Sequence, residues 1–183
     1  MSKATFPLFS RAELPQDRAL RLGAERLQAA IAELPLRYAP FFGRLSTLWE
    51  LPEARVRSEL ERAKDSRSWS ITLLPGVRIF DIARQHGEDG EPSPGLRARL
   101  MRFEPGARFP RHRHRGSEEL LVLEGAYTDG SGLEVSAGEQ QSMAEGSEHE
   151  LYIIGAAPCV AAVSERGIAF TGPLLRWVNA LLR

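Results

Sequence analysis

Three of the four histidines in this chain fall in two short segments, at spacings that suit metal ligands. Side chains two residues apart in a β-strand point to the same face, so we expect His112 and His114 to project together toward one ion. Glu118 is in phase with both if their strand continues past Gly116. We expect His149 to reach the same site from a neighbouring strand. The sequence therefore predicts a divalent transition metal on these four side chains, and this donor set does not separate zinc, iron, manganese, nickel and copper.

Other polar residues carry weaker signals. His86 lies in a Gly- and acid-rich stretch, which is typical of an exposed loop histidine. In a strand, Arg111, Arg113 and Arg115 take the face opposite the paired histidines. Together with Arg108 they indicate a solvated strand face rather than a phosphate-binding patch, because the chain carries no net charge.

The segments around the paired histidines have the pattern of short β-strands. Apolar residues alternate with polar ones or form short runs, and Gly, Pro and Asp-Gly steps separate them, which indicates an antiparallel sandwich or barrel. A helix is predicted to close the chain over Leu174–Leu182. The predicted strands lie around residues 69–73, 77–82, 96–100, 120–123, 151–154 and 160–163.

Before residue 65 the periodicity is helical. An amphipathic stripe recurs at steps of three and four residues from Leu20 to Leu34, and a second apolar series runs from Tyr38 to Trp49. Pro52 stands where a helix often begins. We therefore predict two or three helices and divide the chain into a helical region, residues 1–65, and a β barrel with a short C-terminal helix, residues 66–183.

Composition excludes several classes of partner. Lysine plus arginine and aspartate plus glutamate number 24 each, so no overall field draws the chain to nucleic acid or anionic lipid. No apolar run reaches the length of a membrane span, and no signal-peptide core is visible at the N-terminus. With Cys159 as its one cysteine, the chain forms no internal disulfide, and we expect a cytoplasmic protein with no membrane and no nucleic-acid partner.

The two histidine segments resemble the two motifs of the cupin superfamily. The first matches G-x5-H-x-H-x3-E-x6-G from Gly106 to Gly125, and this spacing selects Glu118 rather than Glu119 as the ligand. The second follows G-x5-P-x-G-x2-H-x3-N, with Ala144 at the proline position and Ile153 at the asparagine position. The resemblance implies a mostly β cupin fold, a double-sheet jelly-roll barrel of six to eight strands with the metal inside.

A narrower likeness covers residues 67–165. The stretches LPGVRIFDI, RFEPGARFPRHRHRGSEELLVLEGAYTDGSG, GSEHELYII and PCVAAV are similar to the cupin domain of ChrR-family anti-sigma factors. The resemblance implies zinc and a sigma factor or other regulator as a protein partner of the helical region. Residues 1–65 contain no histidine and no cysteine, so the second zinc site of that family cannot exist there.

Three functions remain open at this stage. The first is a regulatory or sensory cupin that meets a protein partner through its helices. The second is a metal-dependent cupin oxygenase acting on a small molecule in the barrel, with Tyr127, Gln141 and Glu150 as unranked candidates for a general base. The third is a structural or storage cupin. Zinc is the metal that the likeness favours, and iron, manganese or nickel also suit the ligands.

An apolar run predicts how the sheet is covered. Residues 120–123 are apolar on both faces of their strand, so the outward face needs a cover. The N-terminal helices or a second subunit can supply it, and we expect a homodimer.

Overall fold

The computed structural model describes residues 37–82 and 95–171, which contain two helices and eleven short strands. Helix α1 spans Phe42–Trp49 and helix α2 spans Glu53–Arg62, with single 3-10 turns at Ala39–Phe41 and Ser66–Ser68. The predicted helix from Leu20 to Leu34, the loop that holds His86 and the closing helix Leu174–Leu182 lie outside the described residues.

The strands form two antiparallel sheets. Sheet A has the order β1-β2-β3-β10-β5-β8, and sheet B has the order β11-β4-β9-β6-β7. The predicted class, a mostly β double-sheet fold preceded by short helices, is confirmed, but among the described residues the two sheets do not close into the expected barrel, and there are more strands than the six to eight expected. The strands are β1 Ser70–Ile71, β2 Val77–Asp81, β3 Arg97–Phe103, β4 Arg108–His114, β5 Glu118–Glu124, β6 Ala126–Asp129, β7 Glu134–Ser136, β8 Gln140–Met143, β9 Glu148–Ile154, β10 Cys159–Glu165 and β11 Ile168–Phe170.

The core lies between the two sheets. It is built from alternate residues of the central strands, as a pleated sheet with one face inward requires. Phe103 and Phe109 meet edge to face, with ring centroids 6.2 Å apart. The buried core cluster comprises Val77, Met101, Phe103, Phe109, Leu120, Val122, Tyr127, Val135, Leu151, Ile153, Cys159, Ala161, Val163 and Phe170.

Sheet A is buried on its outer face as well. Helix α1 contacts strand β10, and the fully buried Trp49 donates its indole N–H to the carbonyl oxygen of Val163 at 3.2 Å. Helix α2 adds Arg62, whose guanidinium lies 5.1 Å from the Phe80 ring centroid. Residues 120–123 are all buried within the single chain. The outward face of their strand, which the sequence predicted to need a cover, is therefore covered without a second subunit.

A close backbone approach explains Gly125, which follows strand β5. Its φ is +68°, and an added Cβ would lie 2.5 Å from the carbonyl oxygen of Pro158. A side chain there would meet both a left-handed backbone and a steric clash, so glycine is needed for β5 to turn beside β10.

By internal contacts the chain divides into residues 1–39 and residues 40–183, and the second unit contains both helices and all eleven strands. The predicted boundary near residue 65 stays a prediction, as does the cytoplasmic location. Among the described residues, no helix combines the length and apolar character that crossing a bilayer requires.

Candidate metal centre

The three histidines of the two motifs meet on neighbouring strands of sheet B. Strand β4 alternates between exposed arginines and buried histidines, so His112 and His114 both point inward. His149 on β9 is the register partner of His112, and their Nε2 atoms lie 3.1 Å apart. The predicted pairing of histidines across adjacent strands is therefore present.

Glu118 completes the cluster from the opposite sheet. Its Oε1 lies 3.6 Å from His149 Nε2, and its Oε2 lies 3.8 Å from His114 Nδ1. Ligand atoms of all four residues fall within 4.8 Å of one another, and all four residues are buried. These residues form a candidate metal site that joins the two sheets.

The strand-phase argument for Glu118 is wrong, although the residue itself lies in the cluster. Strand β4 ends at His114, and Glu118 begins β5 in sheet A. The chain crosses between the sheets in three residues, where the Arg115 N–H donates to the carbonyl oxygen of Gly167 at 2.8 Å. Glu119 points away from the cluster and accepts hydrogen bonds from Gln140 and Ser142.

Unsatisfied ring nitrogens show that the cluster fits a metal ion. His112 Nδ1 lies 2.9 Å from the carbonyl oxygen of Pro110, which can only accept, so the proton sits on Nδ1 and Nε2 carries the free lone pair. Both ring nitrogens of His114 and Nδ1 of His149 are buried without a hydrogen-bond partner among the described residues. Buried nitrogens normally find a partner, and a divalent ion would supply one for a single nitrogen of each imidazole, including one of the two on His114.

Burial moves the protonation equilibria of the cluster toward neutral forms. It lowers the pKa of His112 to about 3 and that of His149 to about 4, and it lowers the pKa of His114. Burial, reinforced by the charge of Glu165, raises the pKa of Glu118 to about 8. Metal-free protein at neutral pH thus presents three neutral imidazoles, ready to coordinate, and a carboxyl group that must lose a proton first.

A cavity of about 490 Å³ opens beside the cluster. His112, Glu118 and His149 line it, and the remaining wall is largely apolar, with Phe109 and Phe170 among its members. Phe109 meets the His112 ring edge to face, with centroids 5.0 Å apart, which holds that imidazole in place. An ion at the cluster would therefore face a space large enough for a small molecule.

Three charged residues of this cavity are absent from the sequence prediction. Arg97, Arg99 and Glu165 line it, and Glu165 is 3% exposed. The alternation of arginines with Ala98 and Leu100 predicted only a strand, whereas in the structure the helices bury one face of this sheet and the cavity lies on the other. The one sequence signal for these residues is Glu165, a glutamate at the end of the apolar run in β10.

The candidates for a general base do not line the cavity. The Tyr127 hydroxyl donates to Gln141 Oε1 at 2.6 Å, and Gln141 Nε2 donates to Asp129 Oδ2 at 3.2 Å. Burial raises the pKa of Tyr127, which keeps its phenol protonated. Among the described residues, the cavity lining includes neither these two nor Glu150.

Outside the cluster, the solvated strand face predicted for the arginines agrees with the structure. Arg111 and Arg113 are exposed and pair with Glu148, at 3.0 Å and 2.7 Å. Cys159 is buried, and burial raises its pKa to about 12, so its thiol stays protonated and unreactive.

The metal assignment predicts a difference between histidine variants. Purified wild-type protein should carry near-stoichiometric transition metal by elemental analysis, whereas His112→Ala should carry little, because it removes one of three imidazole donors. His86→Ala is the matched control and should retain the metal. Equal metal content in wild type and His112→Ala would exclude the assigned ligands.

Glu118 predicts an unusual pH dependence for metal-free protein. Its folded pKa of about 8 exceeds the ordinary 4.5, so its contribution to stability is full below about pH 4.5 and is lost as pH rises through about 8. The histidine contributions run the other way: they are present above pH 6.5 and are lost as pH falls through about 4 for His149. After chelation, Glu118→Gln should therefore melt at a higher temperature than wild type at about pH 8.5, with a smaller gap at about pH 5. A gap that does not grow with pH would contradict the buried, protonated state of Glu118.

Several solved structures are similar to parts of this chain at low identity. One is a complex of Rhodobacter sphaeroides SigE with the anti-sigma ChrR, with 24% identity, coverage of 82% of this chain and 80% of that chain, and a TM-score of 0.49. An oxalate oxidase shows 21% identity over 58% of this chain, with a TM-score of 0.46, and the matched part spans 61% of the oxalate oxidase chain. KdgF from Halomonas sp. shows 19% identity over 54% of this chain and 86% of its own, with a TM-score of 0.43.

The sequence comparison identifies the family. No curated protein matches the chain significantly. The model of the ChrR cupin-like domain matches residues 64–168, which contain both histidine segments and ten of the eleven strands in full. The chain therefore belongs to the family of ChrR cupin-like domains.

Proposed function

We propose that this protein is a metal-dependent regulatory cupin. In this proposal, His112, His114, Glu118 and His149 hold the ion, and its presence sets the position of helices α1 and α2, which meet a protein partner. Zinc is the proposed metal, because three imidazoles and one carboxylate suit a four-coordinate zinc ion.

The observation that carries the proposal is that one strand serves both the cavity and the helices. On β10, the side chains of Val163 and Glu165 line the cavity beside the cluster. The carbonyl oxygen of Val163 accepts the hydrogen bond from Trp49 in α1. Because the interior is close-packed, a displacement of β10 at the cavity is transmitted to α1.

The cluster itself supplies the force that would move this strand. Glu118 stands on β5, and its register partner on β10 is Glu165. Binding an ion draws the carboxylate of Glu118 toward the histidines of the opposite sheet, whereas loss of the ion leaves a protonated carboxyl beside neutral imidazoles. The two states therefore differ in how firmly β5, and with it β10, is held against sheet B.

The helices present a surface on which a partner could dock. Their buried face carries Leu45, Trp49 and Val56, while the outward face is exposed and charged, with Arg57 and Glu61 among its residues. A sigma factor or another regulator is the partner we propose, on the strength of the family. A charged surface of this kind gives specificity through complementary charges on the partner.

Binding should then depend on the metal. We expect one member of a panel of purified sigma factors from the same organism to bind the full-length, metal-loaded chain. Chelation or His112→Ala should weaken this binding by about tenfold or more, a usual size for coupling between sites, and His86→Ala should leave it unchanged. Surface plasmon resonance measures the affinities. Identical affinities with and without metal would exclude metal-dependent regulation of that partner.

The cavity supports a second candidate, a metal-dependent oxygenase acting on a small molecule. Three of the four candidate ligands line a largely apolar space of about 490 Å³, as an open coordination position next to a substrate pocket would require. In that case, metal-loaded protein should consume oxygen with a small β-dicarbonyl or phenolic substrate, without any partner, and His112→Ala should abolish the uptake. An oxygen electrode measures this uptake. If none of these substrates causes metal-dependent oxygen uptake, the oxygenase is excluded and only the regulatory proposal stands.

A homodimer remains part of the proposal. The apolar run at residues 120–123, which predicted the dimer, does not require one, since these residues are buried within one chain. Sedimentation velocity at micromolar concentration distinguishes the states, and a single monomeric species would remove the dimer from the proposal.

A further inference from the structure

The cavity beside the cluster has the features of a site for an amphiphilic anion. We propose that it binds a monocarboxylate with an apolar chain of about eight carbons, a size suited to pockets of this volume. This inference rests on the proposed metal site, because the charge of the ion is part of the argument.

The cavity is polar at one end and apolar at its rim. Across sheet A, Glu118 stands opposite Glu165, and on the next inward-facing position Val163 stands opposite Arg99. The polar groups therefore cluster beside the candidate metal ligands. At the rim, the side chains of Ile71 and Leu73 line the cavity yet are 82% and 70% exposed. Large apolar side chains left in water at a cavity mouth favour an apolar occupant that covers them.

Arg99 supplies an unused donor at the polar end. Its Nη2 lies 3.1 Å from Asp81 Oδ1, and its Nη1 lies 3.6 Å from Glu165 Oε1, which is longer than a normal hydrogen bond. Its Nε is buried without a hydrogen-bond acceptor among the described residues. A buried, charged donor without an acceptor is unfavourable, and a ligand oxygen would satisfy it.

The charges decide in favour of a carboxylate over a neutral oxygen. A divalent ion on three neutral imidazoles and the Glu118 carboxylate keeps one net positive charge. Arg99 and Glu165 offset each other, and the side chain of Asp81 is 64% exposed, so water screens its charge. Arg97, which also lines the cavity, adds no negative charge to this balance. A net positive charge thus remains beside a low-dielectric cavity, where a charge-assisted hydrogen bond from Arg99 to a carboxylate is strongest.

The apolar wall supplies the rest of the affinity. Leu120, Leu151 and Phe170 line the cavity between the polar end and the rim. Each methylene that moves from water into such a wall tightens binding by about fourfold. A ligand with a carboxylate but no chain therefore contacts only the polar end, and a ligand with a chain but no carboxylate contacts only the apolar wall.

Isothermal titration of the full-length, metal-loaded protein with octanoate tests the proposal. Acetate, 1-octanol and octylamine are the comparison ligands. We expect octanoate to bind about tenfold or more tightly than each of them, since each lacks the chain or the carboxylate. Octanol or octylamine binding as tightly as octanoate would overturn the assignment of an anion site, and acetate binding as tightly would overturn the apolar part.

Variants separate the role of Arg99 from a general effect on the fold. Arg99→Gln should weaken octanoate binding about tenfold or more and leave octanol binding unchanged. Arg102→Gln is the matched control, because Arg102 lies on the same strand but outside the cavity lining and pairs with Glu104. If Arg99→Gln fails to fold, Leu73→Asn at the exposed rim tests the proposal instead. It should weaken the binding of octanoate and octanol alike and leave the binding of acetate unchanged. Unchanged octanoate binding would overturn the proposal.

The same samples distinguish this inference from the proposed function. Elemental analysis before titration reports the metal site, and the heat of octanoate binding reports the ligand site. Metal-loaded protein that does not prefer octanoate overturns the ligand inference and leaves the metal proposal standing. Protein without metal overturns the proposed function, and octanoate binding that needs Arg99 would then support the anion site by itself.

Discussion

The burial of four polar side chains between two sheets is the constraint on which this structure depends. His112, His114 and His149 come from one sheet and Glu118 from the other, and all four are almost completely removed from water. Buried polar groups are costly unless each finds a partner, and here half of the six ring nitrogens have none within the described chain. A core of aliphatic residues at these positions would be simpler to pack. The arrangement is therefore understandable as a binding site whose ligand completes the interior.

This site requires a sheet that is covered on both faces. An ion held between the sheets would be protected from water only if sheet A stays packed against sheet B on one face and against the helices on the other. Helices α1 and α2 provide the outer cover, and the indole of Trp49 ties α1 to the backbone of β10. In α2, the fully buried Glu59 is salt-bridged to Arg55 and Arg62 of the same helix, and Arg62 also lies over the Phe80 ring of sheet A. The candidate metal site, sheet A and helix α1 are thus joined by direct contacts, with β10 between the cavity and α1.

The sequence revealed the histidines more readily than the rest of the site, for physical reasons. Because side chains in a strand alternate strictly between its two faces, His112 and His114 must share a face. The exposed arginines before, between and after them occupy the opposite face. The strand-phase argument for Glu118 was wrong, because strand phase says nothing about a crossing between sheets in three residues, whereas the motif spacing pointed to the same residue independently. Arg99 and Glu165 were missed because an arginine that alternates with apolar residues usually faces water. Only the tertiary arrangement, with helices on one side and a cavity on the other, turns that face inward.

The order of the ligands along the chain bears on how the protein matures. Three of them lie between residues 112 and 118, whereas His149 belongs to β9, and pairing of β4 with β9 must close the whole intervening segment. A nascent polypeptide released from the ribosome before residue 149 would offer three donors on strands that nothing yet holds opposite each other. An ion captured by such a chain would exchange freely with the solvent. If these four residues hold an ion, its tight retention would therefore require the paired strands of the assembled sandwich.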